Sequence, residues 1–317
     1  MKQKFIHTLI LGEAISEIFV LSQKTVGKTK SGKSFLSLVL ADKTGSIDAK
    51  VWDDVESITL KAVEGDFVKV VGQVTEYQGK LQITVNGLAK MTSENMDAAD
   101  YIATTTKDIQ KLQQELTAFI QSVKNASLKD LLLAFWENPV FKKSFSEMPA
   151  AKKIHHVYLG GLLEHTVMVT KLMDHYCTLY SDVNRDLGIT GAVLHDIGKL
   201  KEFSFASSID YTATGRLLSH VYLGVEMINE KLVTFSNFDD QTAMLLRHMV
   251  LSHHGEREFG ALILPHTIEA ILLHYADTLD AKMAAVQEHI GKHADGLFTE
   301  YHRPMERYFY IGDKKEK

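Results

Sequence analysis

The spacing of apolar residues changes once along this chain. Up to about residue 90 the pattern is one of alternation, with short runs at 20–26, 35–40, 46–52, 67–74 and 81–85 that are rich in β-branched residues. Turn-forming segments at 27–33, 42–45 and 78–80 separate them. Period-two runs bounded by Gly, Asp and Ser predict strands, and the last two predict a hairpin across Gln78-Gly79-Lys80. About five strands with a small helical insert near 53–62 predict a small barrel. Beyond residue 95 the period becomes that of a helix, and helices are expected near 107–123, 127–136, 161–180, 185–196, 217–233, 239–252 and 266–289. Residues 92–106, rich in Ser, Asn, Asp, Ala and Thr, read as a connector. The expected fold class is therefore multi-domain α and β. A small N-terminal β-barrel over 1–92 is followed by a linker and leading helix over 93–130 and an all-α helical domain over 131–317.

A chain of 317 residues is long enough for two cores of ordinary size. The single cysteine, Cys177, excludes an intramolecular disulfide and a cysteine-based zinc cluster, and it suits a reducing, cytoplasmic setting. The N-terminus carries no signal-peptide pattern, and no run of about 18 uncharged apolar residues is present, so no membrane partner is expected. A net charge of −5 gives no long-range attraction for nucleic acid and leaves only a local basic face for such a role. Long apolar helices near the C-terminus suit the interface of a homo-oligomer.

Of the 15 histidines, all but His7 lie after residue 150. Several mark out a series: His165, then Leu194-His195-Asp196-Ile197-Gly198-Lys199, then His220, His253-His254 and Asp277. Each lies in or beside a stretch of helical period. A lone histidine on an apolar helix face is ordinarily a hydrogen-bonded core residue, but six such positions in series point to imidazoles and carboxylates converging from several helices on a metal site. His165, His195, Asp196 and Asp277 would hold one divalent ion. Asp196 could bridge to a second, about 3.5–4 Å away, held by His220 and His253 with His254 assisting. Such a donor set accepts Mn, Fe, Co, Ni or Zn. One ion would lower the pKa of a bound water, and both would hold phosphate oxygens. Lys199, four residues after His195, could neutralise charge on a phosphoryl oxygen or could simply be a solvated lysine at a helix end. General-acid help to the leaving oxygen could come from His254 or from a second water.

This order of His, His-Asp, His, His-His and Asp resembles the HD-domain metal-dependent phosphohydrolases over about residues 155–290. The strings from His155-His156 to His165-Thr166, Ser252-His253-His254-Gly255, Glu258-Phe259-Gly260 and 274–282 are similar to the YhaM-type 3′-5′ exoribonucleases. That family also places an OB-fold before its HD domain. The resemblance implies a manganese-favouring exonuclease that releases nucleoside monophosphates from single-stranded RNA, with some action on single-stranded DNA. It also draws His156 towards the substrate. One departure is visible: where the family pattern has a small polar residue and a proline after Gly260, this chain has Ala261-Leu262. The alternative is an HD-domain phosphohydrolase acting on a small nucleotide or cyclic dinucleotide, and a third possibility is a nucleic-acid-binding protein with a structural metal.

Residues 34–52 resemble the anticodon-binding type of OB-fold, a fold that stacks single-stranded bases on aromatics beside a basic groove. Lys28, Lys30 and Lys33, in a basic cluster with Lys24, and the aromatics Phe35, Trp52 and Tyr77 are the candidate contacts. A lysine-rich turn is ordinarily just solvated, and Phe35 and Trp52 lie in apolar strands that could equally face the core.

Overall fold

The computed structural model describes residues 2–312 apart from 30, 57, 59–61, 153–155, 206 and 294–295, so Lys30 and His155 lie outside the described residues. The chain forms two compact units, 1–104 with 204–210, and 105–203 with 211–317. The stretch expected as linker and leading helix, 93–130, is thus divided at 104/105, and its α-helices count with the second unit.

The first unit is a closed five-stranded barrel of β1 (Ala14–Lys28), β2 (Ser34–Asp42), β3 (Gly45–Val51), β4 (Phe67–Tyr77) and β5 (Lys80–Met91). Its strand order is β1-β2-β3-β5-β4, with β3 and β5 parallel and the other pairs antiparallel. The alternation read from the sequence is the in-out pleat of the wall. On β2, Leu36, Leu38 and Leu40 are buried, and Ile47, Ala49 and Val51 meet them from β3. The register shift between Val71 and Gly72 lets β5 change parity, so Ile83, Val85 and Leu88 all reach the core. Residues 55, 56 and 58, within the expected insert, are helical.

The second unit is helical: α1 (Ile109–Ser122), α2 (Ala126–Trp136), α3 (Pro139–Glu147), α4 (Gly161–Leu179), α5 (Arg185–Leu194), α6 (Lys199–Glu202), α7 (Ala213–Leu232), α8 (Asp240–Ser252) and α9 (Ile268–Gly291). The chain between α6 and α7 forms a small two-stranded sheet of β6 (Phe203–Phe205) and β7 (Ile209–Tyr211), of which residues 204–210 count with the first unit. Asp108, Asn125, Asn138, Asn184, Thr212, Asp239 and Thr267 each cap a helix by accepting from backbone N–H groups of its first turn. Only α4 and α6 start without a side-chain cap, at Gly160 and Gly198. α4 packs against α5 and α9, and residues 161–167 of α4 and 187–194 of α5 are buried on every face, as expected for central helices. No helix of the described residues is long and apolar enough to cross a membrane.

Candidate metal centre

Six segments bring ionisable groups into the middle of the helical unit, where burial is costly unless each group is paired. α4 supplies His165. α5 ends at Leu194, and the turn after it carries His195 and Asp196. That turn runs close under α7: a Cβ on Gly198 would lie 1.9 Å from the His220 carbonyl oxygen, so only glycine fits there. α6 supplies Lys199 and Glu202. Within α7 the helix breaks at Ser219, whose φ of 64° and ψ of 150° are costly for a residue with a Cβ, and His220 follows at once. His253 and His254 follow the last turn of α8, and Asp277 and Asp280 lie one turn apart on α9.

Four of the imidazoles share one orientation. Nδ1 of His195 donates to the Ala192 carbonyl at 2.8 Å, and Nδ1 of His253 to that of Val250 at 2.7 Å. His220 Nδ1 lies 3.0 Å from Glu202 Oε1, and His165 Nδ1 lies 2.6 Å from Asp280 Oδ2. With each Nδ1 engaged outward, each Nε2 faces the centre, as when a neighbouring oxygen fixes the tautomer of a metal-ligating histidine.

Asp196 stands between two groups. Its Oδ2 is 3.3 Å from His195 Nε2 and 3.6 Å from His165 Nε2, and its Oδ1 is 3.5 Å from His220 Nε2 and 3.7 Å from His253 Nε2. On the Oδ2 side His165, His195 and Asp277 form a trio within metal-binding reach, with Asp277 Oδ1 at 3.2 Å from His165 Nε2 and the two Nε2 atoms 3.3 Å apart. On the Oδ1 side His220, His253 and His254 form a second trio. Asp196 Oδ1, His220 Nε2, His253 Nε2 and His254 Nδ1 are buried with no hydrogen-bond partner among the described residues. An orphaned carboxylate oxygen with two orphaned Nε2 atoms within 3.7 Å of it is what a cation would satisfy, and the trio on the Oδ2 side offers the same donor types, so the donor set fits a divalent ion beside Asp196.

Electrostatics agree with a site built for positive charge. Burial opposes ionisation of Asp196, but Lys199, whose Nζ is 2.6 Å from Oδ2, and His195 hold its carboxyl well below the usual carboxylate range. Asp277 is likewise held low despite burial, chiefly by its contact with His165. Burial works against charge on His165, but Asp277 and Asp280 outweigh it and raise the imidazole to about 9. Burial, with His254 beside it, keeps His253 far below its ordinary value. Burial, with His220 next in importance, lowers His254 to about 4. His254 lies beside His220 and His253 as the third member of the second trio.

The residues expected at the metal, His165, His195, Asp196, His220, His253 and Asp277, are thus brought together, with Lys199 on Asp196 and His254 alongside. His156 was expected to face nucleic acid and does not. It is buried, with Nε2 on Asp280 at 3.0 Å and Nδ1 on the Tyr158 hydroxyl at 2.7 Å, and so braces the carboxylate that holds His165. Asp280 and Glu202 were not singled out from the sequence. The signal for Asp280 was its i+3 spacing from Asp277, whereas Glu202 had none.

On the barrel, Phe35 and Trp52 lie outside the core. Phe35 is half-buried over Gly27, where a Cβ would strike its ring, and Trp52 is 39% exposed with ring centroids 5.2 Å apart. The Lys50 ammonium sits 5.5 Å from the Phe35 centroid. Tyr77 is exposed at the β4–β5 turn. Lys28 and Lys33 are exposed, and Lys33 pairs with Asp53 at 2.9 Å.

Residues 162–282 match the HD domain model, and residues 20–90 match the model described as an OB-fold nucleic acid binding domain. The chain is 33% identical to the 3′-5′ exoribonuclease YhaM of Bacillus subtilis over 95% of both chains. It is 34% identical to the protein of that name from Geobacillus sp., over 95% of this chain and 92% of the relative. The corresponding Listeria welshimeri protein is 33% identical over 92% of each chain.

Proposed function

The chain belongs to the family of YhaM 3′-5′ exoribonucleases, and from that membership we propose how its two units divide the work. The enzyme is a divalent-metal-dependent hydrolase of phosphodiester bonds that degrades single-stranded RNA from the 3′ end to nucleoside monophosphates, and it takes single-stranded DNA as a second substrate. The observation that carries this reading is Asp196, a carboxylate whose two oxygens each face a separate trio of donors.

His165, His195 and Asp277 would hold one ion and His220, His253 and His254 a second, with Asp196 between them. Manganese is the favoured metal, and Fe, Co, Ni or Zn suit the same donors. Divalent ions held there supply Lewis acidity to the phosphoryl oxygens and lower the pKa of water. The chain's own groups orient and balance charge. Asp280 and Glu202 fix the rings of His165 and His220. Lys199, buried against Asp196 and lining the cleft, offsets negative charge that grows on the phosphoryl group.

The barrel holds the strand on its outer wall, with Phe35, Trp52 and Tyr77 stacking bases and Lys28, Lys33 and Lys50 meeting phosphates. A small nucleotide would need no such surface. An exposed apolar stripe along α9, from Ile268 and Ile271 through Tyr275 to Leu279 and Met283, suits self-association. A cytoplasmic setting suits both the substrate and the free Cys177.

The test is 5′-end-labelled single-stranded RNA with Mn²⁺. Stepwise shortening from the 3′ end with monophosphate release is expected, together with its loss in His195→Ala. An intact substrate with the wild-type chain would overturn the reading.

A further inference from the structure

The cleft beside the metal centre is larger than the hydrolysed phosphate requires. Its volume is about 840 Å³, and it runs from Asp196, Lys199 and Asp277 to a wall made by Tyr211, Arg216 and Lys152. That lies within the roughly 300–1,000 Å³ typical of sites that enclose an organic ligand. Tyr211, the last residue of β7, is 39% exposed. Its ring is backed by Phe203, with centroids 5.1 Å apart. The Lys152 ammonium lies 5.6 Å and the Arg216 guanidinium 5.5 Å from its centroid. An aromatic ring backed by Phe203 and approached by two cations, lining the same cleft as Asp196, Lys199 and Asp277, matches the chemistry of a nucleotide: base on the ring, phosphate on the cations.

We propose that Tyr211 stacks on the base of a nucleotide flanking the scissile phosphate, while Arg216 and Lys152 hold the adjoining phosphate. The proposal rests on the nuclease reading above and adds a subsite to it. Stacking of this kind tolerates any base, as an enzyme that shortens RNA of any sequence requires. Tyr211 and Arg216 hold the substrate in register and do not touch the reacting atoms, so they act on KM more than on kcat.

The experiment uses the full chain with Mn²⁺ and three short single-stranded RNAs: one unmodified, one abasic at the 3′-terminal position, and one abasic at the penultimate position. On unmodified RNA, Tyr211→Ala is expected to raise KM on the order of 10-fold, within about 5- to 100-fold, with kcat held within about 2-fold. Tyr211→Trp, which keeps a stacking face, should stay within about 3-fold of wild type, which separates lost stacking from damaged folding. One of the two abasic RNAs should show the same loss with the wild-type enzyme and no further loss with Tyr211→Ala. Arg216→Gln should raise KM for all three RNAs by a similar factor. A Tyr211→Ala enzyme that matches wild type on unmodified RNA, or that loses the same factor on all three substrates, overturns the proposal while the nuclease reading stands. A wild-type chain inert on all three removes both.

Discussion

The barrel and the helical unit bury different things. The barrel core is mostly hydrocarbon, from Ile15 and Phe19 to Val85 and Leu88, with one covered ion pair, Lys2 with Asp42, against Phe19, and Phe35, Trp52, Tyr77, Lys28 and Lys33 sit outside it. The helical unit places His165, His195, Asp196, His220, His253 and Asp280 among its most buried residues. A barrel with an apolar core is stable without any ligand and offers a surface. A helical core holding imidazoles and carboxylates carries groups whose burial is offset only when they are paired with one another, a proton or a cation. The contrast means that substitutions should separate cleanly: those in the helical centre change chemistry, and those on the barrel change grip.

The largest effect should come from Asp196→Ala. With the shared carboxylate gone, kcat/KM on RNA should fall by at least about 10³-fold and metal uptake should drop, while RNA binding measured by fluorescence anisotropy stays within about 2-fold. Equal losses in both would break the separation. Asp280→Asn keeps the shape but weakens the hold on His165, and metal affinity by calorimetry should fall about 10- to 100-fold. An unchanged affinity would make Asp280 and His156 ordinary core partners. Trp52→Ala should weaken binding of long RNA on the order of 10-fold and leave hydrolysis of a dinucleotide unaltered.

The last effect concerns protons. His165 titrates at about 9 when its Nε2 faces Asp277, above the unfolded value of 6.5. In the metal-free protein this group therefore contributes stability that is fully present below 6.5 and is lost as pH rises through about 9. The same proton competes with a cation for Nε2. Cation affinity should rise with pH between 6.5 and 9, by up to about tenfold per unit, with about one proton released at neutral pH. Titrations in buffers of different ionisation heat measure that release, and its absence would place the first ion away from His165.

The sequence revealed the barrel because Leu36, Leu38 and Leu40 alternate cleanly with Ser37 and Val39. It made the donor candidates legible because histidines at 165, 195, 220 and 253–254, with Asp196 and Asp277, recur along helical stretches, which is chemically unusual. It hid the face of Phe35 and Trp52, since an aromatic in an apolar strand suits either side of a barrel wall. It also hid Glu202, whose role depends wholly on a break at Ser219 that no residue type announces. α3 was missed although Asn138-Pro139 is a helix-start signal, because only nine residues follow before the turn. The β6–β7 strands, of three residues each, are too short for a period to register.

The most direct measurement is anomalous diffraction from crystals grown with Mn²⁺. Two peaks are expected, one beside His165, His195 and Asp277 and the other beside His220, His253 and His254, each within ligand distance of a different oxygen of Asp196. A single peak that leaves either trio unliganded, or imidazoles turned so that Nε2 no longer faces Asp196, would contradict a shared two-ion centre.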